Sequence, residues 1–327
     1  MPITTNEAFE RFDDALKLDP AQRIQAEKIH NEITAILQEA GLIVSAFLQG
    51  SFARKTMIAP LRDVVKVVIL DPSLSGLTPD EVMDRIERCL GKPYPDVRFD
   101  RTRHSLQIDF GEDTFYFDTV PSWESTTDDD DICIANRDTY GWQRSNSREL
   151  MRMVAKRNSD TGGLFIHQVR MGKQAIKELV DGIVPGLHVE SWAYIEITEA
   201  IAFDEAVTLI LEAGARLLGG NYTEPTGVDT ISARLKPEII AEAKPVLAEA
   251  ARRAHEARAL TAAGDHNEAI RIWRSMLGDC FPEPEEQDDA TALRNAFHGG
   301  TVTSEGAVSS TGAGRQVARP TRSWKAS

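Results

Sequence analysis

The stretch "LIVSAFLQGSFARKTMIAPLRDVVKVVIL", residues 42 to 70, places two apolar strands on either side of a Gly-Ser turn. The first strand runs directly into Gly50-Ser51, and a short helical run follows. Backbone N–H groups left free there, with the serine hydroxyl, suit the oxygens of a triphosphate. Eleven residues separate Ser51 from Asp63, which opens the second strand. Two residues on, where a strand side chain returns to the same face, stands Val65. A face built to hold divalent ions calls for carboxylates at both positions, and this chain offers one carboxylate and one aliphatic side chain.

A second carboxylate comes from "SLQIDFGEDTFYFDTVP", which reads as a β-hairpin turning at Gly111-Glu112-Asp113. Asp118 lies on its second strand and is preferred over Asp109, whose context is the approach to the turn. Two divalent ions ~3.5–4 Å apart carry the triphosphate and lower the pKa of an attacking hydroxyl, and they require carboxylates converging from adjacent strands. Asp63 and Asp118 supply two corners of such a site, and Val65 supplies none. Arg54 and Lys55, just beyond the Gly-Ser turn, are candidate phosphate contacts. His104 and His167 read as structural histidines, because a metal-activated hydroxyl needs no side-chain base.

Around this motif the chain divides by periodicity. Two amphipathic helices come first, over residues 5 to 40, with Pro20 at the break between them. "TPDEVMDRIERCLG" has Thr78 as N-cap, Pro79 at the first helical position and Gly91 as its stop. From about residue 145 the pattern is helical: "SRELMRMVAKRN", "LFIHQVRMGKQAIKELVDG", "VESWAYIEITEAIAFDEAVTLILEAGARLL" and a long stretch over residues 236 to 281. The reading is an α+β chain, with a sheet-bearing lobe over residues 1–145 and a helical lobe over 146–283 completing a cleft between them. Residues 284–327 are rich in Gly, Ser, Thr and charge and are expected to form a disordered tail. "DDDD" at 128 to 131 reads as a solvated loop.

A net charge of −14 excludes a surface built to grip long nucleic acid, so an anionic ligand must be met by a local pocket or through bound metal. Cys89, Cys133 and Cys280 show neither a disulfide framework nor zinc spacing. No apolar run reaches the ~20 residues of a membrane span, and the N-terminus has no apolar signal core. The expectation is a cytoplasmic protein with no membrane partner.

"QGSFARKTMIAPLRDVVKVVIL" followed by "FYFDTVP" resembles the polymerase-beta nucleotidyltransferase superfamily. Within it the chain resembles the bacterial CD-NTases, relatives of cyclic GMP-AMP synthase that make cyclic oligonucleotide messengers in anti-phage defence. "RSNSRELMRMVAKRN", "VRMGKQAIKE", "GLHVESWAYIEI", "EPTGVDTISARL" and "AIRIWRSMLGDCFP" extend the likeness over roughly residues 5 to 283. The resemblance implies a polymerase-beta-like sheet lobe and a helical lobe with the active site in the cleft. It also implies nucleoside triphosphates such as ATP or GTP as substrates, two Mg²⁺ or Mn²⁺ ions, release of pyrophosphate, regulatory protein partners and a monomeric state. Residue by residue, it assigns Asp63 and Asp118 to metal binding and catalysis, and Gly50, Ser51, Arg54 and Lys173 to the nucleotide. Val65 departs from the pattern at the second metal-binding aspartate, so the chain is expected to bind nucleotide while turning it over poorly or not at all. Two alternatives share these motifs: a nucleotide-binding pseudoenzyme or regulatory module, and a template-free RNA-end nucleotidyltransferase.

Overall fold

The structure, a computed structural model, describes residues 3–111, 115–126 and 131–285 and the short segments 301–302 and 308–309. Two helices lead, α1 (Thr5–Ala15) and α2 (Pro20–Glu39), followed by β1 (Ile43–Gln49), α3 (Gly50–Ala53), β2 (Asp63–Leu70) and α4 (Pro79–Leu90). Next come β3 (Arg98–Arg101), β4 (Leu106–Asp109), β5 (Tyr116–Glu124), β6 (Ile132–Asn136) and β7 (Gly141–Ser145). The helical half comprises α5 (Ser147–Asp160), α6 (Phe165–Leu179), α7 (Gly186–Glu196), α8 (Phe203–Leu217), α9 (Pro237–Ala262) and α10 (His266–Leu277). Most of the segment expected to be a disordered tail, and residues 128–130 of the "DDDD" run, lie outside the described residues. Within the tail, β8 (Thr301–Val302) pairs antiparallel with β9 (Val308–Ser309).

Local chemistry explains the helix starts. Thr4 and Thr78 each close a capping box, with Glu7 and Glu81 respectively, and Pro20 and Pro79 occupy the first helical turn, where a missing N–H costs nothing. The sheet runs β1-β2-β5-β4-β3, with β6 joining β5 and β7 joining β6. All its pairings are antiparallel except β2 with β5, which run parallel with Asp63 beside Tyr116 and Val65 beside Asp118. Strand β5 is long enough to divide its second edge, pairing β4 through residues 116–119 and β6 through 122–124.

Alternation along β2 separates two environments. Val64 and Val68 pack with Ile33, Leu37, Val82 and Ile86 beneath α2 and α4. Val67 and Ile69 face the other way, against Val120 and Ile132, with Val65 packed at the edge of that cluster. A separate core unites the helical half around Trp192, Trp273 and Phe281. Helix α1 belongs to that second core: Phe9 makes edge-on contacts with Trp273 and Phe281, at centroid distances of 5.1 and 5.0 Å. A division at residue 145 therefore groups α1 with the sheet lobe by sequence while its side chains are buried in the helical one.

Three other expectations need correction. The stretch over 189–218 is two helices, because Ile197 leaves α7 in an extended conformation and the Arg157 guanidinium takes the freed carbonyls of Tyr194 and Ile197. The stretch over 236–281 likewise breaks at Gly264, whose φ of +83° suits glycine. Asp131, read as part of a solvated loop, is 1% exposed and paired with Arg144 across the unpredicted β6–β7 hairpin.

Lys66 points from β2 into the α2 interface and is 0% exposed. Its ammonium donates to the His30 carbonyl at 2.6 Å and to Thr34 Oγ1 at 2.5 Å, and burial lowers its pKa to about 7. The unfolded chain therefore binds more protons than the native one between pH 7 and about 10.5, and stability should rise with pH across that window. Replacing Lys66 with methionine should raise the urea midpoint at pH 7 and flatten its rise toward pH 10, as read by denaturation at a series of pH values. Phe281, 0% exposed at the end of the helical core, should cost about 3–5 kcal/mol when changed to alanine, measured by the same denaturation.

Candidate active site

The Gly-Ser turn and β2 form one wall of a cavity of about 410 Å³, and α6 with the start of α7 forms the other. Gly50, Ser51, Arg54, Asp63, Val65 and Lys173 all line it. Gly50 has φ +74°, and a β-carbon built on it would lie 3.1 Å from Val65 Cγ2, so the turn crosses directly over the side chain at position 65. Only a residue without a side chain allows both that backbone angle and that approach.

Parallel pairing of β2 with β5 puts Asp118 beside Val65. Its carboxylate accepts from Ser105 Oγ at 3.0 Å and Gln107 Nε2 at 3.3 Å, which aim it. Burial raises the Asp118 pKa, and those two donors oppose the rise. Asp63 remains open to the cleft, but crowding by its walls raises its pKa, as does the Asp118 carboxylate, against the pull of Lys173 and Arg62. Two carboxylates that each resist ionisation beside one another form a locus of unneutralised charge that favours a cation. Asp109 is elsewhere: it accepts from the Gly111 N–H at 2.8 Å and serves the turn.

Do the residues present fit a pair of metal ions? Among the described residues no group of three or more His, Cys, Asp or Glu side chains converges closely enough to hold one. Asp63 and Asp118 stand at two positions, and the third holds the methyl groups of Val65, which ligate nothing. The donor set does not fit a two-ion centre.

The basic side chains carry the largest departure from the sequence reading. Arg54 and Lys173 reach the cavity, but both are bound to Glu190, which is 2% exposed on α7. Glu190 accepts from Arg54 Nε at 2.7 Å, Arg54 Nη2 at 3.2 Å, Thr56 Oγ1 at 2.8 Å and Lys173 Nζ at 2.5 Å. Burial pushes its carboxyl up, but Arg54 and Lys173 outweigh that effect and hold it far below the usual carboxylate range. Burial lowers the Lys173 pKa while Glu190 works to keep the ammonium charged. Gly186 makes room for this, since a β-carbon there would lie 3.1 Å from Lys173 Cε.

Sequence reasoning missed Glu190 and Thr56. The available signal was an acidic residue inside the apolar run "HVESWAY", since a buried carboxylate must find cations. Lys55 is exposed and does not line the cavity. His167 pairs with Asp13 at 2.8 Å, and His104 Nδ1 bonds the Ala135 carbonyl at 2.6 Å, in keeping with structural roles. A second cavity of about 220 Å³ adjoins the first, sharing Gly50, Arg54 and Leu187 and extending along Gln143, Asn146 and Ser147 toward Thr226. No helix among the described residues is long and apolar enough to cross a membrane.

Residues 3–158 match the Second Messenger Oligonucleotide or Dinucleotide Synthetase domain. Comparison with curated proteins finds no match. Among solved structures, the fold is similar to that of Escherichia coli MS115-1 CdnC in complex with HORMA-deltaN, at 13% identity and a TM-score of 0.69, over 85% of this chain and 98% of that one. It is similar to Bradyrhizobium diazoefficiens CD-NTase CdnG in complex with GTP, at 14% identity and a TM-score of 0.69, over 83% and 95% of the two chains. The cyclic AMP-GMP synthase DncV of Vibrio cholerae shares it at 12% identity and a TM-score of 0.58, over 85% and 87%. The domain match spans the Gly-Ser turn, Asp63 and Asp118, and the fold over most of the chain is similar to that of these solved CD-NTases.

Proposed function

We propose that this protein binds nucleoside triphosphates in the cleft between its lobes, at a site that, with its second carboxylate in place, would join them into a cyclic oligonucleotide messenger of anti-phage defence with release of pyrophosphate. The supporting observation is the placement of Val65. It lies on the cavity wall under Gly50, on the same strand face as Asp63 and in register with Asp118. That is the point at which a carboxylate completes a set for two Mg²⁺ or Mn²⁺ ions, which would charge-neutralise the triphosphate and activate the attacking hydroxyl. The chain as it stands binds nucleotide through Gly50, Ser51, Arg54 and Lys173 and turns it over weakly or not at all.

Two adjoining cavities suit this chemistry, because joining two nucleotides needs room for both, with Arg54 and Gly50 at the boundary. CdnC and CdnG were captured with ATP and GTP respectively, and CdnC also with a HORMA protein. By that likeness a purine triphosphate is the first ligand to try, and a regulatory protein is the kind of partner to seek. A second reading, that of a nucleotide-responsive regulatory module with no turnover, also draws on Val65.

One substitution separates the two readings. Val65→Asp adds a third negative charge beside Asp63 and Asp118 and should lower stability by about 1–3 kcal/mol without divalent ions. Mn²⁺ with ATP and GTP should restore that stability, and pyrophosphate release, undetectable or nearly so in the unsubstituted chain, should appear together with a phosphatase-resistant product. A folded Val65→Asp chain that gains neither stability with metal nor product places the protein with the regulatory reading.

The phosphate site has its own measurement. Ser51→Ala should weaken ATP binding by roughly 3- to 10-fold in calorimetric titration, in line with the loss of a hydroxyl donor to a charged acceptor. An unchanged affinity would place the phosphates away from the Gly-Ser turn.

A further inference from the structure

We infer that Glu190 is a positioning residue of the nucleotide site, holding Arg54 and Lys173 at the cavity wall with donors to spare for phosphate oxygens. This rests on the nucleotide-binding reading and goes beyond it, because Glu190 is an anion placed where the ligand is also an anion. Simple charge counting assigns such a residue an opposing role. The geometry points the other way.

Glu190 is saturated. Its Oε1 accepts from Thr56, Lys173 and Arg54 Nη2, and its Oε2 accepts from Arg54 Nε. Those bonds consume only part of what the two cations offer. Arg54 spends Nε and Nη2 and keeps Nη1, which has no partner among the described residues. Lys173 spends one proton on Glu190 and a longer contact of 3.3 Å on Thr56 Oγ1, leaving a third N–H. Both side chains line the first cavity, and Arg54 also lines the second.

Long basic side chains lose most of their rotamer freedom when they grip a phosphate, and that entropy weakens binding unless it has been lost beforehand. Here it has been. The Arg54 and Lys173 side chains are 7% and 9% exposed and are fixed by one carboxylate that sits behind them. Glu190 also prevents the two cations from repelling one another when the cavity is empty. The cluster keeps a net charge of +1, which counts Arg54 and Lys173 against Glu190.

The test is the sign of the change when that anion is removed. Glu190→Gln keeps the shape of the side chain and raises the local charge by one. If Glu190 positions the cations, ATP affinity with Mg²⁺ should fall about tenfold, while AMP, which does not extend to the outer phosphates, should change by less than about twofold. ATP affinity that stays the same or rises overturns the inference, since the cations then bind phosphate without their anchor. ATP and AMP falling together also overturns it, because the residue then only supports the fold. Should Glu190→Gln fail to fold by thermal unfolding, Thr56→Val removes one donor from the same carboxylate without changing any charge. It should lower ATP affinity about threefold and leave AMP unchanged, with the same outcomes counting against the inference. Unsubstituted protein that binds neither ATP nor AMP refutes the nucleotide reading and the inference together, a result distinct from tight ATP binding that ignores position 190.

Discussion

The buried carboxylate of Glu190 ties the two halves of the molecule at the cleft. Its partners come from both sides: Arg54 and Thr56 from the turn beyond β1, Lys173 from α6. An ion cluster taken out of water contributes little net stability, because the cost of desolvating each charge nearly matches their attraction. Its effect is on geometry. With one carboxylate saturated by four donors, the Gly-Ser turn and the Lys173-bearing side of α6 have a fixed relative placement, and the cavity between them acquires a shape. Helix α1 reinforces the link, since it precedes the sheet lobe in sequence yet packs Phe9 and Phe12 into the helical core.

A second constraint, the parallel pairing of β2 with β5, sets what the site contains. Parallel strands require a crossover, here supplied by α4 with β3 and β4, and the register that results puts Val65 beside Asp118. A slip of one residue would turn Asp63 and Val65 toward α2 and bring Lys66 into the cleft. Lys66 opposes that slip by its bonds to His30 and Thr34, at the cost of burying an amine. Strand β2 is thus held by a polar contact on the face away from the cleft.

The electrostatics of the cleft are local and opposed to those of the whole chain. A protein of net charge −14 presents Arg54, Arg62, Lys173 and Lys177 around one cavity. The cavity is a small basic surface inside an acidic envelope, which favours a compact anion over a polyanionic strand. Asp63 lines that surface and Asp118 stands near it on the adjacent strand, both with raised pKa values, and the aliphatic Val65 shares their strand face.

Much of this was legible in the chain itself, because it depends on contacts close in sequence. The capping boxes at Thr4 and Thr78, the strand alternation of "DVVKVVIL" and the glycine before Ser51 follow from local sterics and hydrogen bonding. So does the conflict at Val65, since Asp63 and Val65 share a face in any extended strand. Tertiary structure alone fixed the parallel register that sets Asp118 beside Val65, because β5 reaches β2 only through a crossover. It alone showed that Arg54 and Lys173 share one anion, since Glu190 lies 136 residues from the first and 17 from the second. It also split the long helical stretches, where Arg157 rather than any nearby residue takes the carbonyls that end α7. A buried charge announces in sequence that it needs a partner, but the partner is chosen by packing, which brings together groups that the chain keeps far apart.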